Sequence, residues 1–158
     1  NTERKAFNKG FLLQDDGSLK HDTTLDVSSM YGSLMFALHD FGFDETKQTM
    51  QAIEQVLLNQ SPAGGCPRYE HDNYFVSNPP FQGNPWFVTT LWLAQYYVRT
   101  NSPAKAQALI DWTVAHVLPS GVLSEQIEPS SGAPLSVTPL VWSHAELINT
   151  LLDLRVAK

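Results

Sequence analysis

A single cysteine, Cys66, in 158 residues excludes an internal disulfide framework. Charge is also scarce: Asp, Glu, Lys and Arg make up 16% of the chain, against about 25% in an ordinary globular protein. The balance is acidic, with a net charge of −6. No cluster of Lys and Arg occurs, which excludes the usual electrostatic footprint of a nucleic-acid binder. No apolar run reaches membrane-spanning length. Low-complexity tracts and internal repeats are missing as well. Cys66 and His71 share one loop, but two ligand-type side chains fall short of a metal site, and neither metal nor cofactor is expected. No signal peptide opens the chain, and localisation stays open, with the cytoplasm slightly favoured.

Apolar residues are plentiful at 42%, and their spacing is helical nearly throughout. The opening residues 1–9 read as a helix end that closes at Gly10. A turn at Asp15-Asp16-Gly17-Ser18 then suggests a short hairpin. A helix is expected over 25–39, with Met35 and Leu38 on its inner face and Gly42 as its cap. Asp44 reads as the N-cap of a second helix reaching Leu58. The stretch 85–99, rich in Trp, Phe, Tyr and Leu, is apolar on every side and so should be buried on every side. Ser102-Pro103 opens a helix to Val117. A last helix is expected over 139–156, with Leu140, Ala145, Ile148, Leu151 and Leu152 on one face.

Two segments break this pattern. Residues 60–83 and 118–138 are long, irregular and marked by Pro and Gly. Loops of that length in a compact domain are usually functional. Short links within helix pairs and long links between them fit an all-α toroid of paired helices, with the long loops gathered on one rim. The long loops and the helix starts that follow them carry Arg68, Tyr69, Asp72, Tyr74, Trp86, Glu125, Gln126, Ser136 and Trp142. Aromatics beside carboxylates, an arginine and amides compose a sugar site, because ring faces stack on pyranose C–H faces while polar groups bind hydroxyls. On composition alone, the alternative of core aromatics with solvated charges is the favoured reading.

The ordered motifs Arg68-Tyr69-Glu70, Gly83-Asn84-Pro85-Trp86-Phe87, Ser124-Glu125-Gln126, Leu135-Ser136 and Trp142-Ser143-His144-Ala145 resemble glycoside hydrolase family 15. That is the glucoamylase family, which also includes glucodextranases and trehalases. The resemblance runs from about Arg68 to Ile148. It implies an α/α barrel of six inner and six outer helices, of which residues 1–158 would form the C-terminal part, about the last half. It also implies hydrolysis of α-glucosidic bonds with inversion. Such chemistry needs one carboxyl group to protonate the leaving oxygen and another to activate water, about 6.5–9.5 Å apart.

Carried onto this sequence, the resemblance makes Glu125 the general base, ionised so that it can take a proton from water. Ser136 would hydrogen-bond it. Arg68 would bind hydroxyls of a terminal glucose, and Trp86 and Trp142 would lie near the sugar. Tyr69, Asp72, Tyr74 and Gln126 are further candidates for substrate contact. Trp92 and Trp112 fall outside the motifs and are expected in the core, Glu128 in solvent, and His144 as a satisfied helix histidine. The general acid of the family has no counterpart in these residues, so negligible hydrolysis by the isolated chain is expected. The Tyr74–Gly83 stretch, with Asn78-Pro79-Pro80, is longer than in fungal members. The Trp142 region is closer to the glucoamylase and glucodextranase branch than to the trehalases. The expected ligand is an α-linked glucose oligosaccharide or glucan, and the expected protein partner is a missing N-terminal half-barrel or a second copy. The rivals are a phosphorylase on the same barrel and a non-catalytic carbohydrate-binding or assembly module.

Overall fold

The computed structural model describes residues 1–76 and 81–156; the Asn78-Pro79-Pro80 feature lies outside them. Among the described residues the order is β1 (Gly10–Leu13), β2 (Leu19–Asp22), α1 (Val27–Met35), α2 (Asp44–Val56), α3 (Phe87–Arg99), α4 (Pro103–Ala115), β3 (Gln126–Ile127), β4 (Pro134–Leu135) and α5 (Val141–Val156). The strands form two antiparallel pairs, β1 with β2 and β3 with β4. The chain is mostly helical, with two small hairpins, the first of them expected from the turn at Asp15 to Ser18. None of the described helices is long and apolar enough to cross a membrane.

The helix α3 is the hub, packing on α4, on α5 and on α1. Its sequence explains why. Apolar and small polar side chains surround it, and every residue from Phe87 to Val98 except Trp92 is buried. Met30, Ile53, Leu57, Leu93, Ala94 and Leu109 join in one core, and Phe87, Leu91, Leu123 and Ile127 in a second.

Several expected boundaries shift. Residues 1–9 form turns, not a helix end. The first helix stops at Met35, and Ala37 takes a left-handed φ of 52°. As a result Met35 and Leu38 are exposed instead of buried, and the turn lies upstream of Gly42. The N-cap of α2 is Phe43, with Asp44 in the first turn, where a carboxylate favours the helix dipole. The Ser102 side chain makes no cap bond, although Pro103 does occupy the first turn of α4.

The largest reversal concerns α5. Its buried residues are the polar Ser143, Glu146 and Thr150, whereas Ile148, Leu151 and Leu152 are exposed. The physical reason lies opposite: α3 presents Gln95 to this helix, and Ser124 presents a backbone carbonyl that accepts from Ser143 Oγ at 2.8 Å.

One glycine is sterically required. Gly65 has φ +76°, and a Cβ there would lie 2.4 Å from Trp112 Cζ2 and 2.9 Å from Pro85 Cβ. Gly65→Ala is expected to destabilise the chain by about 3 kcal/mol, combining backbone strain with overpacking. Urea unfolding is the check, and a change below about 0.5 kcal/mol would contradict this account.

Candidate functional site

Backbone bridges tie three irregular segments into one platform. Asp26 pairs with Tyr69, Cys66 with Trp86, and Trp86 with Gln126. Trp86 N–H donates to the Cys66 carbonyl at 3.0 Å, and Ile127 N–H to that of Pro85, also at 3.0 Å. The platform sits at the N-terminal end of α3, so the Arg68, Trp86 and Glu125 loops converge there.

Glu125 is half-buried. Ser136 Oγ donates to its Oε2, and Gln126 Nε2 donates to the same oxygen at 3.1 Å. Ser136 reaches it from the end of the β3–β4 hairpin with a left-handed φ of 64°, a conformation that costs a non-glycine residue free energy and often marks functional sites. Gln126 is 0% exposed. Its Oε1 accepts from Asn84 Nδ2 at 2.8 Å, while Asn84 also donates to the Phe75 carbonyl at 2.7 Å. Gln126 is therefore corrected from a substrate contact to a buried strut behind Glu125, because a side chain with no surface cannot meet a sugar.

Arg68 is clamped in the same way. Its Nε and Nη2 donate to the two oxygens of Asp72, each at 2.7 Å. Asp72 is 2% exposed and accepts also from Tyr74 N–H at 3.1 Å, so it orients Arg68 and does not line a pocket. The guanidinium carbon lies 4.4 Å from the Trp86 ring centroid and 5.0 Å from that of Tyr74. Hydrogen bonds to Asp72 chiefly raise the Arg68 pKa; burial opposes them, and the negative charge of Asp72 adds to the rise. Nη1 makes no hydrogen bond among the described residues, leaving donors of a fixed fork for a ligand.

Beside this pair lies a hollow of ≈ 210 Å³ walled by Arg68, Tyr69, Trp86, Trp92 and Trp142. Asp26 and Ser28 supply polar edge groups. Glu125 and Tyr74 are not among its walls; the Tyr74 ring lies 5.9 Å from that of the wall residue Trp86, and the Glu125 carbonyl accepts from the N–H of Phe87, the residue after Trp86. Trp92 packs against the first core as expected, but it also stacks on Tyr31 at 4.4 Å, meets Trp142 edge-on at 5.7 Å, and lines the hollow. Sequence gave no signal for it, since a helix apolar all round does not say which ring faces a cavity. Asp26 carried a signal that was missed, since an Asp two residues before a Ser at a helix start is a cap pattern; its Oδ1 accepts from Ser28 N–H at 2.7 Å.

The remaining candidates are placed plainly. Trp112 packs against Phe87, and its Nε1 donates to the Ala63 carbonyl at 2.7 Å. His144 Nε2 accepts from Leu123 N–H at 3.0 Å. Glu128 lies at an exposed turn, as a solvated charge would, and its Oε2 also accepts from the N–H groups of Ser130 and Ser131. Cys66 is buried, and burial pushes its thiol pKa up. Among the described residues, no group of three or more His, Cys, Asp or Glu side chains is arranged to hold a metal ion.

Fold and site together define a class: a helical-hairpin segment presenting an aromatic hollow, a clamped arginine and an oriented carboxylate on one rim. Known proteins give that class a narrower setting. The chain is 32% identical over 155 residues to an uncharacterised glycosyl hydrolase of Methanocaldococcus jannaschii, a match covering 87% of this chain and 24% of that protein. The chain thus spans about a quarter of that relative's length. Among solved structures it is similar to a bacterial glucoamylase complexed with acarbose, with TM-score 0.76 and 19% identity over 94% of this chain and 23% of the other. A glycosidase variant in complex with glucose gives TM-score 0.71 and 19% identity, covering 84% and 36% of the two chains. The Hormoconis resinae glucoamylase gives TM-score 0.62 and 17% identity, covering 85% and 33%. At these identities the structures show a shared fold. No protein-family model matches the chain.

Proposed function

We propose that residues 1–158 are the C-terminal portion of a glucoamylase-like catalytic α/α barrel, about its last half, in an inverting α-glucoside hydrolase. Glu125 is its general base, taking a proton from the attacking water, and Ser136 orients it. Arg68 binds hydroxyls of the glucose unit at the chain end. Trp86, Trp142 and Tyr69 shape the pocket, with Tyr74 at its rim. The observation that carries this reading is the Glu125 carboxylate, fixed by Ser136 and Gln126 on the loop platform that also holds Arg68 and Trp86 of the aromatic hollow. The glycosyl hydrolase relative and the glucoamylase-like fold support it.

The general acid comes from outside this chain. Among the described residues, the acidic side chain on the hollow wall is Asp26, which caps α1 through Ser28 and pairs with Lys9 at 3.6 Å. That commitment supports an acid supplied elsewhere. Exposed apolar side chains, among them Phe11, Leu13, Phe36, Leu38 and Leu152, support a covering partner, either an N-terminal half-barrel or a second copy.

The purified 158-residue chain is expected to bind acarbose yet release negligible glucose from maltose, because losing one member of a catalytic pair removes orders of magnitude in rate. Calorimetry and a glucose assay check both halves. Robust glucose release would overturn the assignment of the acid to another segment.

A further inference from the structure

The buried face of α5 is polar where its sequence offers apolar alternatives. Glu146 is 8% exposed, and its carboxylate has no cationic partner among the described residues. Burying a carboxylate is costly unless hydrogen bonds offset the lost hydration. An apolar residue of similar size often serves a core at least as well. Packing alone therefore does not account for this side chain.

Its two oxygens point to a different role. Oε1 accepts from Trp142 Nε1 at 3.0 Å. Oε2 accepts from Gln95 Nε2 at 2.9 Å. Gln95 Oε1 in turn accepts from the Tyr31 hydroxyl at 2.6 Å. Tyr31 stacks on Trp92 with centroids 4.4 Å apart, and Trp92 meets Trp142 edge-on at 5.7 Å. The result is a closed ring of five side chains from α1, α3 and α5: Trp142, Glu146, Gln95, Tyr31 and Trp92. Burial, with the Glu146 charge adding, pushes the Tyr31 pKa up to about 12, so its hydroxyl stays protonated and donating. Thr150 Oγ1 accepts from Gln95 Nε2 at 3.2 Å and braces the ring from the next turn of α5.

Two members of that ring, Trp92 and Trp142, wall the hollow. Trp142 is 48% exposed on the first turn of its helix. An indole that open would sample several rotamers unless one was held. Immobilising it beforehand lowers the ordering cost of binding.

We propose that Glu146 is a positioning residue which, with Gln95, locks the indoles of Trp142 and Trp92 in the orientation on which a ligand stacks. This rests on the sugar-binding reading for the nature of the ligand, but not for the orientation itself.

The test uses the 158-residue chain labelled with 5-fluorotryptophan. Its four tryptophans give separate fluorine resonances, with Trp142 assigned through Trp142→Phe. Glu146→Leu is expected to shift or broaden the Trp142 and Trp92 signals and to weaken acarbose binding by about tenfold or more. Glu146→Gln keeps an acceptor for the indole and is expected to stay within about threefold, since the penalty arises from a donor left unpaired. Thr150→Val is expected to lower the unfolding midpoint while leaving the Trp142 signal in place. If Glu146→Leu does not fold, Gln95→Met breaks the same ring and is read in the same way. Lowered stability in Glu146→Leu with unchanged Trp142 and Trp92 signals would overturn the proposal. Failure of the unsubstituted chain to bind acarbose would sink the sugar-site reading alone, and the fluorine signals would still decide the positioning role.

Discussion

An enzyme completed by its acid-bearing segment is expected to lose about three orders of magnitude in hydrolysis rate when Glu125 is replaced by Gln. The amide keeps the volume of the carboxylate but cannot accept a proton from water. Ser136 Oγ and Gln126 Nε2 both donate to Oε2, which leaves Oε1 for the water. The loss should appear in kcat more than in KM, because the base acts in the transition state. Glu125→Ala goes further by opening space where the carboxylate stood. Azide, which attacks without losing a proton, is expected to enter there and give the β-glucosyl azide from an α-glucoside. Unchanged hydrolysis by Glu125→Gln would exclude the base role.

Replacing Arg68 with Lys is expected to weaken oligosaccharide binding by about tenfold to a hundredfold, because an ammonium replaces a planar fork. The fork serves two masters. Nε and Nη2 hold Asp72, and the guanidinium plane lies over Trp86. A lysine keeps the charge but satisfies only part of a carboxylate that is 2% exposed. A stability loss of about 1–3 kcal/mol is expected from the acceptor left short of donors. Calorimetric titration with acarbose and thermal unfolding separate the two effects. Wild-type affinity in the Lys variant would remove Arg68 from the binding site.

Parts of this arrangement were legible in the sequence because local chemistry decides them. Pro103 sets the start of α4, and the turn at Asp15 to Ser18 sets the first hairpin. The all-round apolarity of 85–99 implied a helix buried on every side, and α3 is buried from Phe87 to Val98 except at Trp92. Other features depend on what lies opposite in space. The polar face of α5 turns inward because Gln95 and the Ser124 carbonyl await it, and no periodicity within α5 encodes that. The second hairpin escapes pattern reading because strands of two residues are too short for alternation. Asp72 and Gln126 were visible as polar loop residues, but sequence does not separate a group that touches a ligand from one that holds its neighbour. Glu125 and Ser136 lie eleven residues apart, and their pairing was expected only through the family resemblance.

The orientation of one carboxylate decides the whole assignment. Glutamate labelled with carbon-13 at the side-chain carboxyl, with Glu125 assigned through Glu125→Gln, reports it in the chain as it stands. Addition of acarbose is predicted to move the Glu125 resonance while leaving that of exposed Glu45 fixed. An unmoved Glu125 signal at saturating ligand would contradict the account.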